Sequence, residues 1–175
     1  TKQCTTMNKY LMVISRYADW RQNFFDEHMS VRNREYCKIH DFQYIEIKDD
    51  IPLELFRQNP TWWKFTLVRD MIESGILKDG DILTHLDADM AIYNTSIDYS
   101  TKKSFSYSID SGNTHCMGNY SIKINDWSIE MIDLVLDEER FQIFKNKRSI
   151  HPVVGSWCFW DWFREQASWY SLAGI

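Results

Sequence analysis

Nowhere do the 175 residues approach the roughly 18 consecutive apolar residues that a membrane span needs. The opening segment TKQCTTMNKY also lacks the apolar core of a secretory signal, so a cytoplasmic setting is expected. There is no CxxC pair. Cys4, Cys37, Cys116 and Cys158 are scattered, which signals neither a zinc ribbon nor a disulfide framework and reads them as free thiols. A basic excess is missing as well. A formal net charge of −5, spread along the chain, argues against bulk nucleic-acid binding, and any phosphate handled here then calls for a metal. Finally, SRYADW, which follows the first apolar run, contains no glycine. The Gly-rich phosphate loop expected of a sugar-1-phosphate nucleotidyltransferase is therefore absent from that place.

What is present is enough apolar matter for one domain: 44% hydrophobic residues and 15% aromatics. The pattern alternates along the chain. KYLMVISRY (9–17) reads as a buried strand, and the following stretch carries Trp20/Phe24 and Phe25/Met29 at helical spacing. Asp19 with Gln22 three positions on predicts a capped helix start near Trp20. YIEIKDD (44–50) alternates as a second strand. TWWKFTLVRDMIESGIL is a strong helix with Phe65, Val68 and Ile72 on one stripe, stopped by Gly75 and KDGD. One of Trp62 and Trp63 is expected in the core. The order β-α-β-α-β predicts a mixed, mostly parallel α/β sheet flanked by helices, in which ligands gather at the carboxyl ends of the strands.

DILTHLDADMAIYN (81–94) delivers Asp87 and Asp89 to such an end. Two carboxylates one residue apart can address one cation, and hard oxygen ligands select Mn²⁺ or Mg²⁺. That ion could bridge a diphosphate and stabilise it as a leaving group. The alternative is a surface Asp pair capping a turn. Further on, SFSYSIDSGNTHCMGNY is polar and Gly-interrupted, which reads either as a binding loop or as an Asx-rich turn. Asp126 and Trp127 open an amphipathic helix with Trp127, Met131, Leu134 and Val135 on one face. The segment HPVVGSWCFWDWFREQASWY concentrates aromatics around Asp161, Arg164 and Glu165. Aromatic faces stack on sugar rings, and a carboxylate desolvated among them becomes a usable general base; Asp161 on the solvent face of a packed helix is the plainer alternative.

The run from Trp62 to Asn94, "WWKFTLVRDMIESGILKDGDILTHLDADMAIYN", resembles the GT-A fold of nucleotide-sugar-dependent glycosyltransferases with a D-x-D sequence, and the galactosyl- and mannosyltransferase group in particular. "MGNYSIKINDWSIEMIDLVLDE" (117–138) is similar to that group's strand, Asn, Trp and helix. There is also a similarity to the glycosyltransferase domains that large algal viruses use on capsid proteins, which would put the chain in a host cytoplasm.

The resemblance implies transfer of a sugar from a nucleotide-sugar, a UDP-sugar above all, to a glycan or glycoprotein acceptor, with Mn²⁺ or Mg²⁺ as cofactor. It implies Asp87 and Asp89 as metal and diphosphate ligands, Ser15, Arg16 and Tyr17 as nucleoside contacts, Asp49 on base or ribose, and Lys64 near the donor. From the residues alone, Lys64 would instead be a solvated lysine. Asp110 and Asn113 would bind sugar or acceptor hydroxyls, and Asp161 would deprotonate the acceptor. Residues 1–94 would form the nucleotide half and 95–175 the sugar and acceptor half of one catalytic domain, which is short for the fold and so expected to belong to a longer polypeptide. Two other classes remain open: a metal-dependent phosphohydrolase using His85, Asp87 and Asp89, and a non-catalytic carbohydrate-binding module.

Overall fold

KYLMVI folds as the first strand because five of its six residues are apolar and it runs through the middle of the sheet, where both faces are covered. The computed structural model describes residues 7–15, 20–48, 60–109, 115–144, 168–169 and 172. β1 (Lys9–Ile14) is followed by a continuous helical stretch: α1 (Trp20–Phe24), a π-helical turn (Phe25–Met29) and α2 (Ser30–His40). Then come β2 (Gln43–Ile47), α3 (Pro60–Glu73), β3 (Ile82–Asp87), β4 (Phe105–Ile109), β5 (His115–Lys123), α4 (Asp126–Val135) and α5 (Glu138–Phe144).

The sheet order is β2-β1-β3-β5-β4. β1 pairs in parallel with both β2 and β3, whereas β5 pairs antiparallel with β3 and β4. The expected mixed sheet is present, but its parallel ladders stop at β3. The physical reason lies in 104–120, read from sequence as a binding loop or turn, with a strand expected only from 117 on. FSYSI alternates with period two, so among the described residues most of this stretch is strand rather than loop. β5 thereby joins the second half of the chain to the central strand of the first.

Strand alternation sends side chains to two cores. Tyr10, Met12 and Leu83 meet Trp62, Phe65 and Val68 of α3 and Met131, Ile132 and Val135 of α4 on one face. Leu11, Val13 and Leu86 meet Phe25, Tyr36 and Cys37 on the other. Both Trp62 and Trp63 are buried, and Phe65, Val68 and the half-buried Ile72 form the expected stripe. Gly75, with φ of +74°, ends the helical segment in the left-handed region that glycine enters at little cost.

Of two local expectations, one lies outside the described residues and one shifts. Asp19 lies outside the described residues, and the Gln22 amide donates to Asp26 (3.0 Å). In α4 the N-cap is Asn125, whose side chain accepts from Ser128 N while the Ser128 hydroxyl accepts from Asn125 N. The buried face of α4 is Ser128, Met131, Ile132 and Val135, leaving Trp127 and Leu134 about half exposed. The two stripes share Met131 and Val135, and the observed one is rotated so that Ser128 and Ile132 take the places expected for Trp127 and Leu134. Among the described residues no helix is long and apolar enough to cross a membrane. Cys37 and Cys116 are free thiols, and Cys4 and Cys158 lie outside the described residues.

Candidate functional site

β3 is buried from Ile82 to Leu86 and opens to solvent only at Asp87. Its neighbours β1 and β5 cover both edges, so the strand acts as a rigid stem for whatever its last residue carries. Because side chains two apart share a face, His85 and Asp87 both point toward α3. His85 is fully buried, and its Nε2 lies 2.8 Å from Asp87 Oδ1. An ionised carboxylate has no proton to give, so Nε2–H is the donor.

Lys64 comes to the same oxygen from α3. Its ammonium is buried, donates to the Met117 carbonyl of β5 (2.8 Å), and stands 3.8 Å from Asp87 Oδ1. The solvated lysine read from the residues alone is therefore corrected: a helix facing the sheet cannot send this side chain to water. Burial by itself would push the Asp87 carboxyl up. The His85 hydrogen bond and the nearby Lys64 charge outweigh it and bring the carboxyl down to about 2. Asp87 is thus a carboxylate across the physiological range, with 45% of its side chain still exposed.

Asp87 Oδ2 differs from Oδ1. Among the described residues no side chain donates to it, and it lies against Gly118, where an added Cβ would come within 2.7 Å. The chain then turns, with Met90 N donating to Asp87 O (2.9 Å), and Asp89 stands exposed on that turn. The segment beyond is strapped to α2. Arg32 donates to the carbonyls of Ile92 and Tyr93, His40 Nε2 contacts Thr95 O (2.8 Å), and Tyr36 Oη accepts from Tyr99 N (2.8 Å).

A cavity of about 100 Å³ lies under this strap, lined among others by Leu11, Thr84, Leu86, Met90, Ile92 and Asn119. Ligand pockets for drug-sized molecules measure roughly 300–1,000 Å³. This one is too small for a nucleotide-sugar and sits on the sheet face opposite Asp87.

The other expected site residues fall as follows. Ser15, at the end of β1, is sealed from solvent, and its hydroxyl donates to Glu46 Oε1 (3.0 Å). It closes an internal cluster that sequence reasoning missed. Glu46 of β2 accepts from Ser15, from Ser30 (2.9 Å), from Arg34 (3.0 Å) and from Lys48 (3.0 Å). A local sign of this was an acid alternating with apolar neighbours in YIEIK; Ser30 and Arg34 sit on the helix expected after Trp20, but nothing local shows which of its residues face Glu46. Arg16, Tyr17, Asp49, Asp110, Asn113 and Asp161 lie outside the described residues. The structure therefore brings Lys64, His85 and Gly118 together at Asp87, with Asp89 two residues on along the exposed turn.

No family model and no curated protein matches the sequence. Among solved structures, the chain is similar to one described as the crystal structure of a glycosyltransferase involved in the glycosylation of the major capsid of PBCV-1. The TM-score is 0.52 at 13% identity, over 78% of this chain and 69% of that one. The likeness is one of fold. It gives the mixed sheet with its helices a glycosyltransferase-like architecture, and it leaves the chemistry to be argued from the side chains.

Proposed function

We propose that this chain is a metal-dependent glycosyltransferase of GT-A type, moving a sugar from a nucleotide-sugar, a UDP-sugar in the first instance, to a glycan or glycoprotein acceptor. The observation that carries the reading is Asp87: an ionised carboxylate at the carboxyl end of the central strand, its side chain 45% exposed, with Oδ1 hydrogen-bonded inside and no side-chain donor on Oδ2 among the described residues. In open α/β sheets this edge is where ligands collect.

The donor set fits a hard divalent ion. Asp87 and Asp89 offer carboxylate oxygens, and among the described residues no group of three or more His, Cys, Asp and Glu forms a closed cage. Mn²⁺ and Mg²⁺ are commonly held by one or two carboxylates plus phosphate oxygens and water. Such an ion, when bound, neutralises the negative charge that develops on a departing nucleoside diphosphate.

The chain's own residues set the rest. Lys64 offsets part of the Asp87 charge, so the two aspartates alone make a weak cation site, and phosphate oxygens from the donor are needed to complete it. Residues 1–94 form the nucleotide half, and Asp161 remains the proposed base for the acceptor hydroxyl. The phosphohydrolase alternative would need His85 to face its ligand; His85 is fully buried and already donates to Asp87, which counts against it.

The test is a UDP titration followed by tryptophan fluorescence, for which the chain carries eight tryptophans. Quenching or enhancement that saturates with Mn²⁺ and disappears with a chelator supports the proposal, after which UDP release from a panel of UDP-sugars identifies the donor. Binding that ignores the metal, or no binding with any nucleotide diphosphate, refutes it.

A further inference from the structure

Gly118 and His85 hold the two oxygens of one carboxylate apart. His85 takes Asp87 Oδ1 at 2.8 Å, inside the protein and beside Lys64. Gly118 sits on β5, one residue past the last paired positions of the ladder, Leu86 and Asn119, and gives Oδ2 the space that a Cβ would occupy. A Cβ there would stand 2.7 Å from Oδ2 and 3.3 Å from both Asp87 Cγ and Met90 Sδ. The carboxylate plane is thus limited from both sides.

His85 is itself fixed. It is fully buried, its ring lies 5.2 Å from that of Tyr120, and its strand is paired on both edges. A rotation of Asp87 that turned both oxygens outward would break the His85 hydrogen bond inside the protein.

We propose that His85 and Gly118 lock the Asp87 carboxylate in one orientation, so that Oδ2 alone ligates the divalent ion while Oδ1 stays bound within the protein. The inference rests on the donor-site reading above. His85 is a positioning residue: it acts through Asp87 and never touches the ligand. Outer-shell partners of this kind set metal affinity by about 10–100-fold.

The experiment measures Mn²⁺ binding in the presence of UDP by titration calorimetry, with the electron paramagnetic resonance spectrum of the bound ion as a second readout. The full chain is compared with His85→Leu, His85→Gln, Gly118→Ala and Asp87→Asn, each first checked for folding by circular dichroism. His85→Leu and Gly118→Ala are expected to weaken binding by about 10–100-fold and to alter the spectrum. His85→Gln, which can place an amide N–H near the Nε2 position, is expected to recover most of the affinity.

Unchanged affinity in His85→Leu and Gly118→Ala, with Asp87→Asn still losing the ion, overturns the lock and leaves the donor site standing. His85→Gln binding as weakly as His85→Leu also overturns it, since ring packing would then be the role of His85. Asp87→Asn binding as well as the unaltered chain overturns the donor-site reading itself. Should His85→Leu fail to fold, Gly118→Ala and His85→Gln decide by the same criteria.

Discussion

Glu46 and Asp87 are both carboxylates near the carboxyl end of parallel strands, and both titrate below the ordinary carboxylate range against the opposing effect of burial. Their surroundings differ in one respect. Glu46 has 6% of its side chain exposed and four donors spread over its two oxygens; Asp87 has 45% exposed and all its donors on Oδ1. A carboxylate with every lone pair engaged is structural cement, since a ligand would have to break bonds to reach it. One with an oxygen left over is a binding group. Charge and a lowered pKa do not separate the two, and only the count of engaged oxygens does.

Substitutions at the two carboxylates should have opposite consequences. The largest effect is expected from Asp87→Asn, which should weaken Mn²⁺-dependent UDP binding by more than about 100-fold, beyond the range of outer-shell partners. Its folding stability in urea should fall by about 1–2 kcal/mol, since an amide oxygen still accepts from His85 but no longer offsets the buried Lys64 ammonium.

Glu46→Leu should show the reverse balance. It strands the buried hydroxyls of Ser15 and Ser30, and unfolding in urea should report a loss of about 3 kcal/mol, since each unsatisfied buried group costs about 1–3. The same variant should speed the labelling of Cys37 on α2. That thiol is buried, and desolvation pushes it up to about 12, so in the unaltered chain it should react with thiol reagents only as the protein opens. Peptide mapping after labelling distinguishes it from Cys116, which is partly exposed.

A smaller effect follows from pH. The Asp87 carboxyl sits at about 2 in the folded chain against about 3.9 when unfolded, so its contribution to stability is complete above pH ~4 and is lost as pH falls through about 2. Carboxyl-carbon NMR should place its midpoint well below those of ordinary aspartates. An ordinary midpoint near 4 would mean that His85 and Lys64 do not hold it. The smallest change is expected for Tyr36→Phe, which removes the acceptor for Tyr99 N and should cost about 1 kcal/mol while loosening the strap beyond Asp89.

The parts of this arrangement that could be read from the sequence are those set by local pattern. β1, α3 and β3 carry their own periodicity, and the apolar run into Asp87 announced a loaded strand end. The rest depended on contacts between distant residues. Lys64 looks like any helical lysine until the helix face is known, and its carbonyl partner lies 53 positions away. Glu46 needs Ser30 and Arg34 from a helix upstream, and Gly118 matters only because β5 runs beside β3. β4 was hidden for another reason: serines alternating with aromatics in FSYSI satisfy a strand's period, yet read as a polar loop by composition, and the antiparallel pairing of β5 depends on contacts that composition does not show.

The most direct measurement places Asp87→Asn and Glu46→Gln side by side in a UDP titration with Mn²⁺ and with chelator. Glu46→Gln is expected to keep metal-dependent binding and Asp87→Asn to lose it. Retention of binding by Asp87→Asn, or equal loss in both, would contradict the claim that the open oxygen of Asp87 is the binding group.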